Sequence, residues 1–388
     1  MMAVFRARAR RVGVENTHGA IMTFELERIV PSDTHAWLRF TLVPALSPQK
    51  QHALLRHFGS AQAALDAPHD EVAQLVGVTC ARALADGPDA RLVAATEAWL
   101  KRPGCRLVGL GDAGYPRQWL QIAMPPCAFH AEGRVELLNG PCFAIVGSRN
   151  ATPAGERDAF ELARALSQQG LAIASGLALG IDTQAHLGGL AEAGSTVAVM
   201  GTGPERIYPR RNVALARQIA SHGCLVSEFP IGMPPLERNF PRRNRLISGL
   251  ALGVLVVEAA YPSGSLGTAH AAIEQNRDVF AIPGSIHSPL SKGCHWLIKQ
   301  GAKLVDCADD IVQELGMQAP KECPPGIRSG DAVLDAMGFG PATMDEIAQR
   351  AGLDAATLAA RLSLLEVAGR VRALAGGWFQ RAENRVIE

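Results

Sequence analysis

The five-residue apolar run Cys142-Phe143-Ala144-Ile145-Val146 leads into a polar turn, Gly147-Ser148-Arg149-Asn150. From Pro153 a helical pattern follows, with Phe160, Leu162, Ala163, Ala165 and Leu166 among its apolar positions. A short, wholly apolar run suits a strand buried on both faces. Leaving that strand through a glycine turn into a helix commits the chain to crossover units, because parallel neighbours cannot be joined by a hairpin. The pattern recurs. Strands are expected at Cys142–Val146, Leu171–Ala174, Thr196–Met200, Leu225–Glu228, Gly253–Glu258 and Asp278–Ile282, with a weaker one at Lys303–Val305. Helical patterns over Pro153–Gln169, Gly180–Ala193 and Asn212–His222 fill gaps between them. The expected fold class is α/β, a Rossmann-like parallel sheet covered on both faces.

Ligands of such sheets sit beyond the C-terminal ends of the strands. The glycine-rich and polar turns fall there: Gly147-Ser148-Arg149-Asn150, Ser175-Gly176, Gly201-Thr202-Gly203 and Ser263-Gly264-Ser265-Leu266-Gly267-Thr268. A turn into a helix presents free N–H groups and the positive end of the helix dipole, which favours an anion. Arg149 adds a charge. The alternative is a tight turn with no ligand. Gly147 lacks the partner glycines of a dinucleotide fingerprint, and Gly201-Thr202-Gly203-Pro204-Glu205 lacks the lysine of a nucleoside triphosphate loop. No cofactor is expected.

Net charge is +1 over 388 residues, so a basic site has to be local. The apolar stretch from Leu246 to Ala260 is too short for a bilayer and is interrupted by Gly249, Gly253 and Glu258, so no membrane insertion is expected. Eight cysteines without a Cys-x-x-Cys pair read as core thiols of a reducing, cytoplasmic compartment, with no metal site.

The flanks differ from the centre. Residues 1–24 carry Arg6, Arg8, Arg10 and Arg11 without an apolar signal core and are expected to form a disordered basic arm; Met22 is an alternative start. A small helical module is expected over 25–105, with Leu54, Leu55, Phe58, Ala61, Leu65, Val72, Leu75, Val76 and Leu84 facing inward. Cys127–Ala131 suits a short strand leading into the main domain at 106–315. Residues 316–330 are rich in Pro and Gly and read as a linker. Residues 331–384 then suit three helices and a hairpin, a winged helix, with Val333, Leu334, Ile347, Leu353, Leu358, Leu362, Leu364 and Leu365 as its apolar positions. Thr343-Met344-Asp345-Glu346 is a capping signal for the second helix. The third, around Asp354 to Ala368, has few basic residues for a DNA-reading helix, which leaves protein contacts as an alternative.

The second informative stretch is Arg238-Asn239-Phe240-Pro241-Arg242-Arg243-Asn244-Arg245, four arginines in eight residues around an aromatic. As a loop near the Gly147 turn, it would suit single-stranded nucleic acid, with guanidinium groups on phosphates and a ring under a base. The alternative is a solvated loop, or arginines paired with Glu228 and Glu258.

These residues carry a family resemblance. Ala144-Ile145-Val146-Gly147-Ser148-Arg149, the run Ser175-Gly176-Leu177-Ala178-Leu179-Gly180-Ile181-Asp182 with Ala185-His186, Asn239-Phe240-Pro241 with Arg243-Asn244-Arg245, and Ser263-Gly264-Ser265 with Thr268 resemble the DNA-processing protein A (DprA/Smf) family. The resemblance implies an extended Rossmann-like domain with a helical N-terminal module and a C-terminal winged helix. It also implies a homodimer that binds and protects incoming single-stranded DNA and helps load the RecA recombinase in natural transformation. Carried onto this chain, the binding residues would be Gly147, Ser148, Arg149, Asn150, Ser175, Gly176, Phe240, Arg242, Arg243, Asn244, Arg245, Ser263, Gly264 and Thr268, with Phe240 as the stacking ring and no catalytic group. A rival is an enzyme: Ser263 to Ala271 also resembles the phosphate loop of Rossmann-like phosphoribohydrolases. Ala271 stands where their catalytic glutamate would be, which leaves His186 and His270 as acid/base candidates.

Overall fold

In the computed structural model, which describes residues 29–317, 331–337, 341–374 and 376–381, the described part of the chain begins with six short helices. They are α1 (Thr34–Thr41), α2 (Pro48–Phe58), α3 (Ala61–Asp66), α4 (His69–Val76), α5 (Val78–Asp86) and α6 (Ala90–Leu100). Side chains of Asp33 and Ser60 cap α1 and α3, and Gly59 ends α2 at φ 78°, a left-handed conformation that glycine adopts without strain. Trp37, Phe40, Leu54 and Leu55 are buried, but Leu75, expected inward, is exposed.

The sheet that follows has nine strands: β1 (Cys105–Gly109), β2 (Ala128–Gly133), β3 (Cys142–Gly147), β4 (Ala172–Ser175), β5 (Thr196–Val199), β6 (Cys224–Ser227), β7 (Gly253–Val257), β8 (Asp278–Ala281) and β9 (Lys303–Leu304). The central strands match the sequence expectation to within a residue or two at each end. The short strand β1, which pairs antiparallel with β2, had no strong signal: Arg106 interrupts its short Cys-Arg-Leu-Val-Gly run. A side chain at Gly109 would collide with the Trp37 indole, so the helical module is packed directly onto this edge.

Seven helices cover the sheet: α7 (Pro153–Gln168), α8 (Ile181–Leu190), α9 (Val213–His222), α10 (Asn239–Leu250), α11 (Gly264–Glu274), α12 (Lys292–Lys299) and α13 (Ala308–Glu314). Alternation along β3 explains the two layers. Phe143 and Ile145 join a core with Ala159 and Ala163 of α7, Ile181 of α8 and Ile311 of α13. Ala144 and Val146 face Leu246 and Leu250 of α10 on the other side. The arginine-rich segment is thus a helix and not a loop, because Leu246, Ile247 and Leu250 give it a face to bury.

The strand order is β1-β2-β6-β5-β4-β3-β7-β8-β9. From β3 the chain builds outward through β4, β5 and β6, then returns to add β7 on the opposite side. That reversal opens a crevice between the loops after β3 and β7, where ligands of doubly wound sheets bind.

Near the C-terminus, α14 (Ala332–Met337), β10 (Ala342–Thr343), α15 (Met344–Ala351), α16 (Ala355–Val367), β11 (Val371–Leu374) and β12 (Trp378–Arg381) form the winged helix. The expected capping box is present, with the Thr343 N–H donating to Glu346 Oε2 at 2.9 Å and the Glu346 N–H to Thr343 Oγ1 at 3.4 Å. Val333, Leu334, Ile347, Leu358 and Leu362 make its core, whereas Leu364 points to solvent. The expected basic arm, residues 1–24, and the expected linker beyond Met317 lie outside the described residues.

Candidate nucleic-acid interface

Gly147 ends β3 because a Cβ there would strike the Val257 carbonyl oxygen. The Ser148 carbonyl accepts the Ile181 N–H at 3.1 Å, and the Ser148 hydroxyl accepts the Asn150 N–H at 3.2 Å. Arg149 and Asn150 are exposed. The helix start beyond them is already filled. Thr152 caps α7 by accepting the Gly155 N–H at 3.1 Å, and the Thr152 N–H donates to Glu258 Oε2 at 2.8 Å. The Thr152 hydroxyl donates to the other carboxylate oxygen. Burial raises the Glu258 carboxyl above its usual range, and the Thr152 bonds oppose that rise. The anion that the sequence invites to α7 is therefore the chain's own carboxylate.

The loop after β4 is held from inside. The N–H groups of Gly176 and Ala178 donate to Asp182 Oδ2 at 3.0 and 3.3 Å. The Leu177 N–H donates to His186 Nε2 at 3.2 Å, and the Leu177 carbonyl accepts from Asn212 Nδ2 at 2.9 Å. Leu177 adopts φ 59°, a conformation that a branched side chain keeps only when its surroundings enforce it. Arg243, only 4% exposed, donates from one guanidinium nitrogen to the Gly176 and Val199 carbonyls. A side chain on Gly176 would stand 2.5 Å from that guanidinium, which accounts for the glycine. Burial lowers Arg243 to about 10, still protonated at neutral pH, with Asp182 supporting the charge. Asp182 is raised by its own burial, against Arg243 and the backbone bonds. Burial, with Arg243 adding to it, depresses His186 to about 3, so its ring is neutral.

Above this floor lies Phe240, in the first turn of α10. Its ring rests on Gly201, where a Cβ would come within 2.9 Å. The Arg149 guanidinium lies 5.4 Å from the ring centroid, within cation–π range, and that of Arg243 at 5.9 Å. Tyr208, 45% exposed, sets its ring 5.9 Å away at 39°. Arg210 and Arg211 follow it and are exposed. Sequence reasoning missed this Tyr208-Pro209-Arg210-Arg211 run, although its aromatic and basic residues directly follow a glycine turn. On the same helix, Arg245 bonds Glu228 and the Met124 carbonyl. Arg242 is half exposed, 3.5 Å from Glu228 and over the Phe229 ring. Asn244 donates to the Gly264 carbonyl at 3.3 Å, tying α10 to the start of α11.

The expected residues thus converge but divide. Arg149, Asn150, Phe240, Arg242 and Gly264 reach the surface, with Ser148, Asn244 and Ser263 half-buried beside them. Gly147, Ser175, Gly176, Arg243, Arg245 and Thr268 lie beneath: Ser175 donates to the Ile145 carbonyl at 2.7 Å, and Thr268 is 1% exposed. Of the rival acid/base groups, His186 is buried and neutral, and His270 is tilted against Trp296 at 5.4 Å. Asp306, Cys307 and Asp310 bring metal-ligating atoms together, but Asp310 already accepts the Asp306 and Cys307 N–H groups at the start of α13. A cavity of about 1010 Å³ between α7, the end of β8 and the winged helix includes Asp158, Glu258 and Trp378 in its lining, and none of the expected site residues. Among the described residues, no helix is long and apolar enough to cross a membrane.

Comparisons with known proteins bear on the family and the fold. Residues 106–316 match the family model for DNA recombination-mediator protein A, and residues 325–377 match the DprA winged helix domain. Protein Smf of Escherichia coli is 39% identical over 363 residues, covering 90% of this chain and 96% of the relative. The DNA processing protein DprA of Streptococcus pneumoniae is 44% identical over 203 residues, covering 52% of this chain and 72% of the relative. An X-ray structure of the S. pneumoniae protein superposes with a TM-score of 0.64 at 34% identity, covering 73% of this chain and 99% of that one. A structure of the Helicobacter pylori protein, described by its single-stranded DNA binding mode, gives 0.50 at 28% identity, covering 54% of this chain and 95% of that one. With its main domain and its winged helix both matched, and a relative of this identity aligned almost end to end, the chain belongs to the DprA/Smf family of DNA recombination-mediator proteins.

Proposed function

We propose that this protein binds single-stranded DNA at the surface around Phe240, protects incoming strands, and helps load the RecA recombinase onto them in natural transformation. A base lies on the Phe240 ring, and Arg149, Arg210 and Arg211 take the flanking phosphates. The observation that carries this reading is the Phe240 ring itself: half-buried, seated on Gly201, with the exposed Arg149 guanidinium and the exposed Tyr208 ring beside it. Arg243 acts from below, fixing the Gly176 loop on which the surface depends. The H. pylori relative's single-stranded DNA binding supports the ligand, and the family description as a recombination mediator supports the RecA step. The family resemblance also supports a cytoplasmic homodimer. A binding role is preferred to phosphoribohydrolase chemistry because Ala271 stands at the glutamate position and His186 has no exposed face.

Fluorescence anisotropy with a labelled oligo-dT and with a duplex of the same length tests the binding step. Clear preference for the single strand is expected; equal affinities would contradict the stacking mode, since duplex bases are not available to a ring. For the mediator step, RecA assembly on an oligonucleotide already bound by this protein should be faster than on one coated with single-strand-binding protein alone, and no acceleration would remove that step.

A further inference from the structure

The buried cysteines of the sheet are held as thiols. Burial pushes Cys105 and Cys294 up to about 11 and Cys142 up to about 12, and it raises Cys127 and Cys224 as well. The Cys142 and Cys294 sulfurs donate to the Leu137 and Val256 carbonyls at 3.4 and 3.5 Å, contacts that keep the proton on sulfur. Cys80, in the helical module, is placed otherwise. Its sulfur accepts a hydrogen bond from Lys50 Nζ at 2.8 Å and donates to the Ala45 carbonyl at 3.3 Å. It stands in the first turn of α5, which has Gly77 at its N-cap, no side-chain cap and no acidic residue in that turn. A cation against the sulfur and the positive end of a helix are two settings that favour a thiolate, the form that attacks oxidants. Cys80 is 6% exposed, and the half-buried Lys50 side chain, from the first turn of α2, reaches it from 30 residues away in the chain. The cysteine therefore does not stand alone: a second nucleophile, the lysine amine, is already in contact with it.

We propose that Lys50 and Cys80 form a peroxide-driven covalent switch, in which hydrogen peroxide oxidises the sulfur and the lysine amine then closes an S–N bond between α2 and α5. From the ion-paired form of the two groups, the thiolate attacks one peroxide oxygen. The O–O bond breaks, an S–O bond forms, and the departing hydroxide takes a proton from the Lys50 ammonium and leaves as water. Sulfur is oxidised by two electrons and the peroxide is reduced. That proton transfer leaves a neutral amine beside the new sulfenic acid. The amine lone pair attacks the sulfur, the S–O bond breaks, and the hydroxide leaves with an amine proton as a second water. Sulfenic acids condense with nitrogen in this way. The net change is the loss of two hydrogens from the pair. A thiol reductant reverses it: one thiol attacks the sulfur and releases the amine, and a second frees Cys80. In a reducing compartment the bridge is thus transient and answers to oxidant. It staples the module that sets Trp37 on the β1 edge, and it uses none of the residues around Phe240.

Peroxide treatment of the full-length protein, followed by mass spectrometry, tests this. A tryptic product is expected in which Lys50 resists cleavage and is joined to Cys80, two hydrogens lighter than the sum of its parts. Dithiothreitol should abolish it. The bridged protein should melt at a higher temperature than the reduced one, since a link across 30 residues constrains the unfolded chain. Lys50→Arg keeps a cation at the sulfur but removes the attacking amine. It should stop at the sulfenic acid and be labelled by dimedone at Cys80, where the wild type takes little label. Cys80→Ser should give neither product. Absence of the Lys50–Cys80 product in the wild type, or equal dimedone labelling of the wild type and Lys50→Arg, would overturn the switch.

Discussion

Two arginines, both candidates from sequence, have different physical situations. Arg149 is exposed and rests beside the Phe240 ring, so its charge is available. Arg243 is buried, and its donors are used on the Gly176 and Val199 carbonyls. Arg149→Ala should therefore weaken oligo-dT binding by about 1–3 kcal/mol, the range of a charged hydrogen bond, with little change in stability. Arg243→Ala should unfold more easily in urea, by about 3–5 kcal/mol, because it leaves Asp182 buried without its counter-charge. Arg243→Lys should restore it only in part, since one ammonium has no second nitrogen for the Asn244 Oδ1 that the Arg243 Nε bonds. A urea midpoint for Arg243→Ala equal to wild type would refute the structural assignment. His186 adds a pH signature. The Leu177 N–H donates to Nε2, so the proton sits on Nδ1, which donates to Thr196 Oγ1 at 2.7 Å. Protonating Nε2 would set two donors against each other in a buried site. With a folded value of about 3 against the ordinary 6.5, the unfolded chain takes up the proton first as pH falls. Stability should be full above about pH 6.5 and decline below it, by up to about 1.4 kcal/mol per pH unit from this residue. His186→Gln should flatten that acid limb in urea titrations between pH 6.5 and 4; an unchanged slope would mean the ring is not buried neutral.

At the scale of elements, local pattern was informative where burial was continuous and silent where it was not. The strands β3 to β8 were legible because both faces are covered and their residues are almost all apolar. The edge strand β1 was not, since Arg106 interrupts its pattern and its place depends on Trp37 of another module. The arginine cluster was legible as a binding segment by composition, yet its helical state depends on Leu246, Ile247 and Leu250 beyond it. The Gly147 turn was legible as a strand-to-helix turn, but the partner that fills the start of α7 comes from Glu258, 106 residues from Thr152. No local reading supplies a partner at that distance. The contact has a consequence: Thr152→Ala removes the cap and the hydroxyl's bond to Glu258, leaving the backbone N–H bond in place, and should lower stability by about 1–2 kcal/mol in thermal or urea melts. A variant as stable as wild type would mean the Thr152 hydroxyl does not hold the helix start.

Across the whole molecule, strand order decides where function can lie. Because β3, β4, β5 and β6 run parallel, the loops after β3, β4 and β5 and the start of α10 come to one end of the sheet. Arg149, Gly176, Gly201 and Phe240 come from four of these segments and meet around one ring. The helical module packs on the β1 edge, and the winged helix has a core of its own. With a net charge of +1, the attraction for phosphates is local to that end. The central claim is a division of labour at the site: the ring holds a base and Arg149 holds a phosphate. Oligo-dT affinity measured across a salt series separates the two. Arg149→Ala should reduce the slope of log affinity against log salt by about 0.7, the value for one lost phosphate contact on a single strand. Phe240→Ala should weaken binding by about 1–3 kcal/mol at every salt concentration with the slope unchanged. Wild-type affinity in Phe240→Ala, or a slope that falls with the ring instead of the arginine, would contradict the account.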